Sequence, residues 1–258
     1  MADHSHSLAR APSRDHLDLP FFGPEHRDLA GQLDAFIAGG GLGVIDHGDA
    51  DGACKVLVRR LGDAGFLRHC VPAAFGGAAE VIDSRALCVM RETLAYADGL
   101  ADFAFAMQGL GTGAISLSGT DAIQSKVLPC IAKGELISGF ALTEPDAGSD
   151  VAAMATTAER DGDDFVLNGE KIWISNGGIA DVYTVFARTG EAAGTRGISA
   201  FVVFADTPGF VIAERLETIA PHPLARIRFE NCRVPASQML GSPGEGFKIA
   251  MRTLDIFR

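Results

Sequence analysis

Apolar residues recur at helical spacing through the first half of the chain and at strand-like intervals through most of the second. Residues 32–37, 55–67 and 85–107 carry apolar side chains three and four positions apart with little β-branched enrichment, which predicts helices. Within Ser84–Ala97 the positions Leu87, Val89, Met90, Leu94 and Ala97 approximate one face, and Ser84 reads as the N-cap. Thr120 with Asp121 behind it opens another helix, expected to run to about Leu128 before Pro129 disturbs it. The character changes at Ile137. From there to Gln238 short strand-like runs alternate with turns, most clearly 165–167 and 171–174 on either side of Asn168-Gly169. An Asn-Gly pair between two such runs predicts a hairpin, because both residues tolerate positive φ. Further strands are expected at 182–187, 198–204, 210–215 and 225–229. No long helix separates them, which suggests an antiparallel barrel or sandwich.

After Gly244 and Gly246, the residues Phe247, Ala250, Met251 and Leu254 fall at i, i+3, i+4 and i+7, the opening of an amphipathic helix. The chain stops inside it at Arg258, and a helix of ~13 residues without a packing partner is marginal in water. The stop therefore reads as a truncation. The expected fold class is α+β: a helical domain over residues 1–138, a β-domain over 139–240, and the beginning of a truncated C-terminal helical part over 241–258.

Composition narrows the function classes. Among 258 residues, 47% are hydrophobic and 21% charged, enough apolar material for a core. A net charge of −11 argues against a nucleic-acid surface, which needs clustered Lys and Arg. Five scattered cysteines form no CxxC pair and read as reduced, mostly buried thiols. No apolar run approaches the ~20 residues of a membrane span. The N-terminus lacks a hydrophobic signal core and carries Asp3, Asp15 and Asp18, so a cytoplasmic location is the expectation. His4, His6 and His16 lie in a polar tail and the other histidines are isolated, so no metal site is expected.

Two segments hold the candidate chemistry. Residues 140–150 read FALTEPDAGSD, with hydroxyls at Thr143 and Ser149 flanking a small Ala147-Gly148 turn. Residues 171–178 read KIWISNGG, with the only tryptophan, Trp173, two positions before Ser175. Hydroxyls and free backbone N–H groups at a glycine turn suit a pyrophosphate, and a flat aromatic beside a strand hydroxyl suits a planar ring cofactor. Taken singly, each residue has a plainer reading. Trp173 alone is more often a core aromatic, and Thr143 and Ser149 alone are turn residues. Glu144 and Asp150 read as loop braces or helix caps rather than as acid/base groups. No GxGxxG follows a strand and no Walker loop is present, so a dinucleotide would be held by loops on the β-domain and by helices.

In these two motifs, and in DTPGF (206–210), FENCRVP (229–235), GEGFKIAM (244–251), LDIFR (254–258) and more loosely GTDAIQSKVLPCIAKGEL (119–136), the chain resembles the acyl-CoA dehydrogenases, a flavoprotein family. The resemblance implies FAD as cofactor and α,β-dehydrogenation of an acyl-CoA thioester with hydride transfer to the flavin. It further implies electron-transfer flavoprotein as electron acceptor and a homo-oligomer in the full-length form. By the same resemblance Phe140, Leu142 and Thr143 line the flavin, with the Thr143 hydroxyl bonding the ring edge. Ser149 sits where the FAD pyrophosphate and the pantetheine of CoA approach each other. Trp173 covers the flavin face, Ser175 bonds near the reactive nitrogen, and Asp255 and Arg258 contact the CoA part of the substrate. Most relatives take the catalytic base, a glutamate, from the C-terminal helical domain; one subgroup carries it just before the arginine matching Arg258. That position is Phe257 here, so no catalytic residue is assigned. Two alternatives stay open: a flavin-dependent monooxygenase or oxidase on the same scaffold, and a non-catalytic flavin- or acyl-CoA-binding module.

Overall fold

The computed structural model describes residues 13–257, so His4, His6 and Arg258 lie outside the described residues. Five helices come first: α1 (Pro24–Ala38), α2 (Ala50–Asp63), α3 (Ser84–Ala97), α4 (Gly99–Ser118) and α5 (Asp121–Ala132). Eight strands follow: β1 (Ser138–Ala141), β2 (Thr157–Asp161), β3 (Asp164–Ser175), β4 (Val182–Arg188), β5 (Ile198–Phe204), β6 (Phe210–Arg215), β7 (Leu224–Pro235) and β8 (Met239–Leu240). Helix α6 (Gly246–Phe257) ends the described chain. The α+β class holds.

Local chemistry explains where the helix boundaries depart from expectation. Asp83, not Ser84, caps α3: its carboxylate accepts from the Arg85 N–H at 2.9 Å and also binds the Arg85 guanidinium. Residues 85–107 are not one helix. Asp98 is extended (φ −163°, ψ 128°) and its carboxylate accepts from Leu100 N at 2.8 Å, which ends α3 and starts α4. Thr120 caps α5 as expected, accepting from Ile123 N at 3.4 Å, but the helix continues through Pro129 to Ala132. Proline removes one backbone donor, and the burial of Ile131 and Ala132 beyond it outweighs that loss.

The sheet is open and mixed rather than a closed antiparallel barrel. Its order is β6-β7-β3-β2-β4-β5-β8, and β1 runs parallel to β4 beside that path. Asn168-Gly169 is not a hairpin turn; it lies inside the unbroken twelve-residue β3. The register of β3 on β7 shifts between Leu167 and Gly169, and Gly169 has φ +144° with no room for a side chain, a methyl there falling 2.6 Å from Thr156 Oγ1. The β2–β3 turn is Gly162-Asp163, with Asp161 opposite Asp164 and Gly162 at φ +64°.

Helix α4 joins the two halves through glycines on opposite faces. Toward the sheet, a methyl on Gly111 would lie 2.4 Å from Ser138 Oγ and 2.9 Å from Gly139 N. Thr184 Oγ1 donates to Gly111 O at 2.8 Å, Ser138 N donates to Gln108 Oε1 at 3.0 Å, and Gln108 Nε2 donates to Leu136 O at 2.7 Å. Toward α6, Gly109 and Gly113 receive the Phe257 ring, and Gly113 also meets Thr253. Helix α6 therefore has the packing partner its length requires. Gly111→Ala is expected to destabilise the chain, because overpacking of about 1–3 kcal/mol exceeds the helix-propensity gain of about 1 kcal/mol. A lower urea midpoint at unchanged m-value is the readout.

Cys54, Cys70 and Cys232 are buried, and all five cysteines are free thiols. Among the described residues no helix is long and apolar enough to cross a membrane, and no cluster of three potential metal ligands occurs.

Candidate cofactor cleft

The two motif segments are fastened together by a buried charge. Lys171 in β3 is fully buried, and its Nζ donates to Glu144 Oε1 at 2.7 Å and to Leu142 O at 3.1 Å. Glu144 is 5% exposed and accepts in addition from Ala155 N at 2.5 Å and Thr156 N at 3.0 Å. Ile172 N donates to Thr143 O at 3.0 Å, closing the gap one residue further along. Glu144 thus braces the loop, as its plainer reading held. The tight turn is Pro145-Asp146, since Glu144 and Ala147 exchange backbone hydrogen bonds at 3.0 and 3.2 Å. It is not Ala147-Gly148, and Gly148 needs no positive φ.

Burial pushes the Lys171 ammonium down to about 8, with Glu144 pulling the other way. For Glu144, burial alone raises the carboxyl, but Lys171 and the bonds from Thr156 and Ala155 outweigh it and hold it below its ordinary value. The two shifts act on stability in opposite pH ranges. Stability from Glu144 is present above the ordinary carboxylate range and is lost as acid protonates the folded form. Between about pH 8 and the ordinary lysine value of 10.5 the unfolded chain binds the extra proton, so stability rises with pH there. Lys171→Met is expected to remove that alkaline rise, read as urea-unfolding free energy against pH.

Trp173 follows directly on this anchor. Its backbone has φ 59°, and the β3–β7 register shifts between Lys171 and Ile174. A bulky aromatic in the left-handed region is a strained outlier, and the bulge turns its side chain outward. The indole is 55% exposed, whereas Ile172 and Ile174 on either side are buried. The core-aromatic reading of Trp173 does not hold. After Ser175, Asn176 is buried at φ 59°; its Nδ2 donates to Ser138 O at 2.9 Å and its Oδ1 accepts from Cys54 Sγ at 3.7 Å. The motif alone assigns no role to Asn176, although an asparagine before Gly177-Gly178 carries the signal of a left-handed turn residue.

One cleft of about 1020 Å³ opens beside these segments. Phe140, Leu142, Thr143 and Ser149 line it from β1 and the following loop, and Trp173 and Ser175 from β3, so all six expected cofactor residues meet in one place. Met107 and Leu110 of α4 and Phe247, Met251, Leu254 and Phe257 of α6 form an apolar wall, with Arg91 and Thr195 at other points of the lining. Asp255 is exposed and does not line the cleft. Asp150 is the one carboxylate among the described lining residues, and its Oδ1 accepts from Ala152 N at 3.1 Å, capping the short turn Val151–Ala153. The volume is at the upper end of small-molecule sites, about 300–1,000 Å³, and the lining combines apolar walls with a few hydroxyls.

Residues 23–135 match the family model for the N-terminal domain of acyl-CoA dehydrogenases, and residues 139–232 match the model for the middle domain. The probable acyl-CoA dehydrogenase FadE25 of Mycobacterium tuberculosis is 42% identical over 197 residues, covering 76% of this chain and 50% of that protein. The glutaryl-CoA dehydrogenase of Desulfococcus multivorans is 37% identical over 77% of this chain and 52% of its own length. The crystal structure of an acyl-CoA dehydrogenase complexed with FAD from Bacillus anthracis superposes with a TM-score of 0.81 at 31% identity, covering 96% of this chain and 44% of that one. The chain spans about half the length of the curated relatives it matches. With both domain models matched in chain order, and the fold in agreement, the chain belongs to the acyl-CoA dehydrogenase family through its N-terminal and middle domains.

Proposed function

We propose that this chain forms the FAD- and acyl-CoA-binding part of an acyl-CoA dehydrogenase. The observation that carries the reading is the meeting of Thr143, Trp173 and Ser175 in one cleft, with the indole exposed on a backbone held at φ 59°. The donor set fits a flavin dinucleotide: hydroxyls of Thr143 and Ser175 for a ring edge, an aromatic face for the ring plane, and Ser149 for the diphosphate. FAD, when bound, supplies the hydride acceptor for α,β-dehydrogenation. Thr143 and Ser175 orient the ring, Trp173 shields one face from water, and Ser149 binds where diphosphate and pantetheine come together. The apolar wall of α4 and α6 takes the acyl tail and keeps water from it. Electron-transfer flavoprotein as electron acceptor, self-association of the full-length form and a cytoplasmic location belong to the same proposal.

Removal of the α-proton needs a carboxylate within hydrogen-bond reach. Asp150 is engaged as a cap and Phe257 accepts no proton, so the described lining of the cleft offers no free carboxylate for this step. The isolated chain is therefore expected to bind FAD and to change its flavin absorption when acyl-CoA is added without oxygen, yet to turn over weakly or not at all. No acyl-CoA-dependent change with FAD bound would contradict the substrate assignment, and robust turnover would contradict the missing base.

A further inference from the structure

One end of the cleft has two rims, and a single side chain ties them together. Residues 148–152 line the cleft from the loop before β2, and Thr195 lines it from the loop before β5. Arg188, the last residue of β4, stands opposite Thr157 of β2 and Ile198 of β5, where those two loops enter the sheet. Its guanidinium reaches into both. Nε donates to Met154 O at 2.7 Å, Nη2 donates to Ala152 O, and Nη1 donates to Gly194 O at 3.2 Å. Three carbonyls satisfy the donors of this cation without neutralising it. Among the described residues it pairs with no carboxylate. Glu191, three positions on, accepts instead from Thr189 Oγ1 at 2.5 Å. The lining itself is short of positive charge. Arg91 is the one cation among the described lining residues, and Asp102 holds its Nε at 2.9 Å and its Nη2 at 3.0 Å. Asp150 leaves the first rim negative, and Arg196, next to Thr195, is exposed and does not line the cleft.

We propose that Arg188 is the positioning residue for a diphosphate at this end of the cleft: its guanidinium sets the gap between the two rims and supplies, from behind them, the unpaired positive charge that the lining lacks. The inference rests on the flavin and acyl-CoA reading above, since FAD and acyl-CoA each carry a diphosphate and the same chemistry serves either. Arg188 does not touch the anion. It acts through the loop that carries Ser149 and through its own field, which reaches a doubly charged group across one layer of backbone.

The test uses two pairs of ligands that differ in the diphosphate: FAD against riboflavin on the chain alone, and butyryl-CoA against butyryl-pantetheine on the FAD-saturated chain. In Arg188→Gln the diphosphate-bearing member of at least one pair is expected to weaken about tenfold while its truncated partner keeps its affinity. The pair that responds names the source of the diphosphate. Arg188→Lys keeps the charge and should recover part of the loss, and added salt should shrink that recovery by screening. Because Arg188 also holds two loops, thermal melting is recorded for each variant. Should Arg188→Gln not fold, Arg188→Lys carries the test, with a loss of about threefold confined to the diphosphate-bearing ligand. A loss shared equally by both members of each pair, or no loss in the folded variant, overturns the proposal and leaves Arg188 a loop tie only. Failure of the parent chain to bind either FAD or butyryl-CoA overturns the cofactor and substrate reading instead, and the positioning role with it.

Discussion

Glu144→Ala is expected to destabilise the chain by about 3–5 kcal/mol, the usual result of leaving a buried charge unpaired. Lys171 would keep one carbonyl partner, Leu142 O, and lose its counter-ion in a fully buried site. Ala155 N and Thr156 N would lose their acceptor in the same step. The paired replacement Glu144→Leu with Lys171→Met is expected to recover part of the loss, because no charge is then left buried and the remaining cost is confined to the two orphaned N–H groups and the Leu142 carbonyl. Urea unfolding of the two single variants and the double variant measures the coupling directly. The loop that presents Thr143 and Ser149 hangs on this pair, so FAD affinity is expected to fall with stability in the single variants. A loss below about 1 kcal/mol in Glu144→Ala would mean that the pair does not anchor the loop.

Trp173→Gly is expected to separate binding from stability. A tryptophan in the left-handed region carries strain of about 1–3 kcal/mol, and glycine relieves it at an entropic cost of about 0.5–1 kcal/mol. The exposed indole contributes little burial, so the urea midpoint should hold or rise. Affinity for FAD should fall about ten- to a hundredfold, since stacking of a planar heterocycle on an aromatic is worth roughly 1–3 kcal/mol. Trp173→Ala keeps the strained backbone, so its stability should stay near that of the parent while affinity falls as in Trp173→Gly. A marked drop in stability for Trp173→Gly, with FAD affinity intact, would return Trp173 to a purely structural role.

The contiguous part of the site was legible in the sequence. Thr143, Ser149, Trp173 and Ser175 stand in two short motifs, and the bonds that join the motifs run between neighbouring residues of each, Leu142 to Lys171 and Thr143 to Ile172. The far wall was not legible as a wall. Phe247, Met251 and Leu254 announced an amphipathic helix, but which surface they faced depended on α6 docking into the glycine notch of α4, a contact made across more than a hundred residues. The hairpin error has a local cause. Asp161-Gly162 and Asn168-Gly169 carry similar turn chemistry, so residue type alone does not say which of the two turns the chain. Asn168 instead uses its Oδ1 to accept from Asn231 N at 2.8 Å, and its glycine neighbour lets β3 pass close to Thr156. Exposure of Trp173 could not be read from its neighbours either, because it follows from the bulge rather than from strand alternation.

Because Trp173 is the only tryptophan, its fluorescence reports on the cleft alone. Titration of the chain with FAD, followed at the indole emission and checked by equilibrium dialysis, tests the central claim most directly. The account predicts saturable quenching whose midpoint coincides with the dialysis isotherm and moves to higher FAD in Thr143→Ala and Ser175→Ala. Indole emission that stays unchanged while dialysis registers bound FAD would contradict it, because the cofactor would then lie away from Trp173.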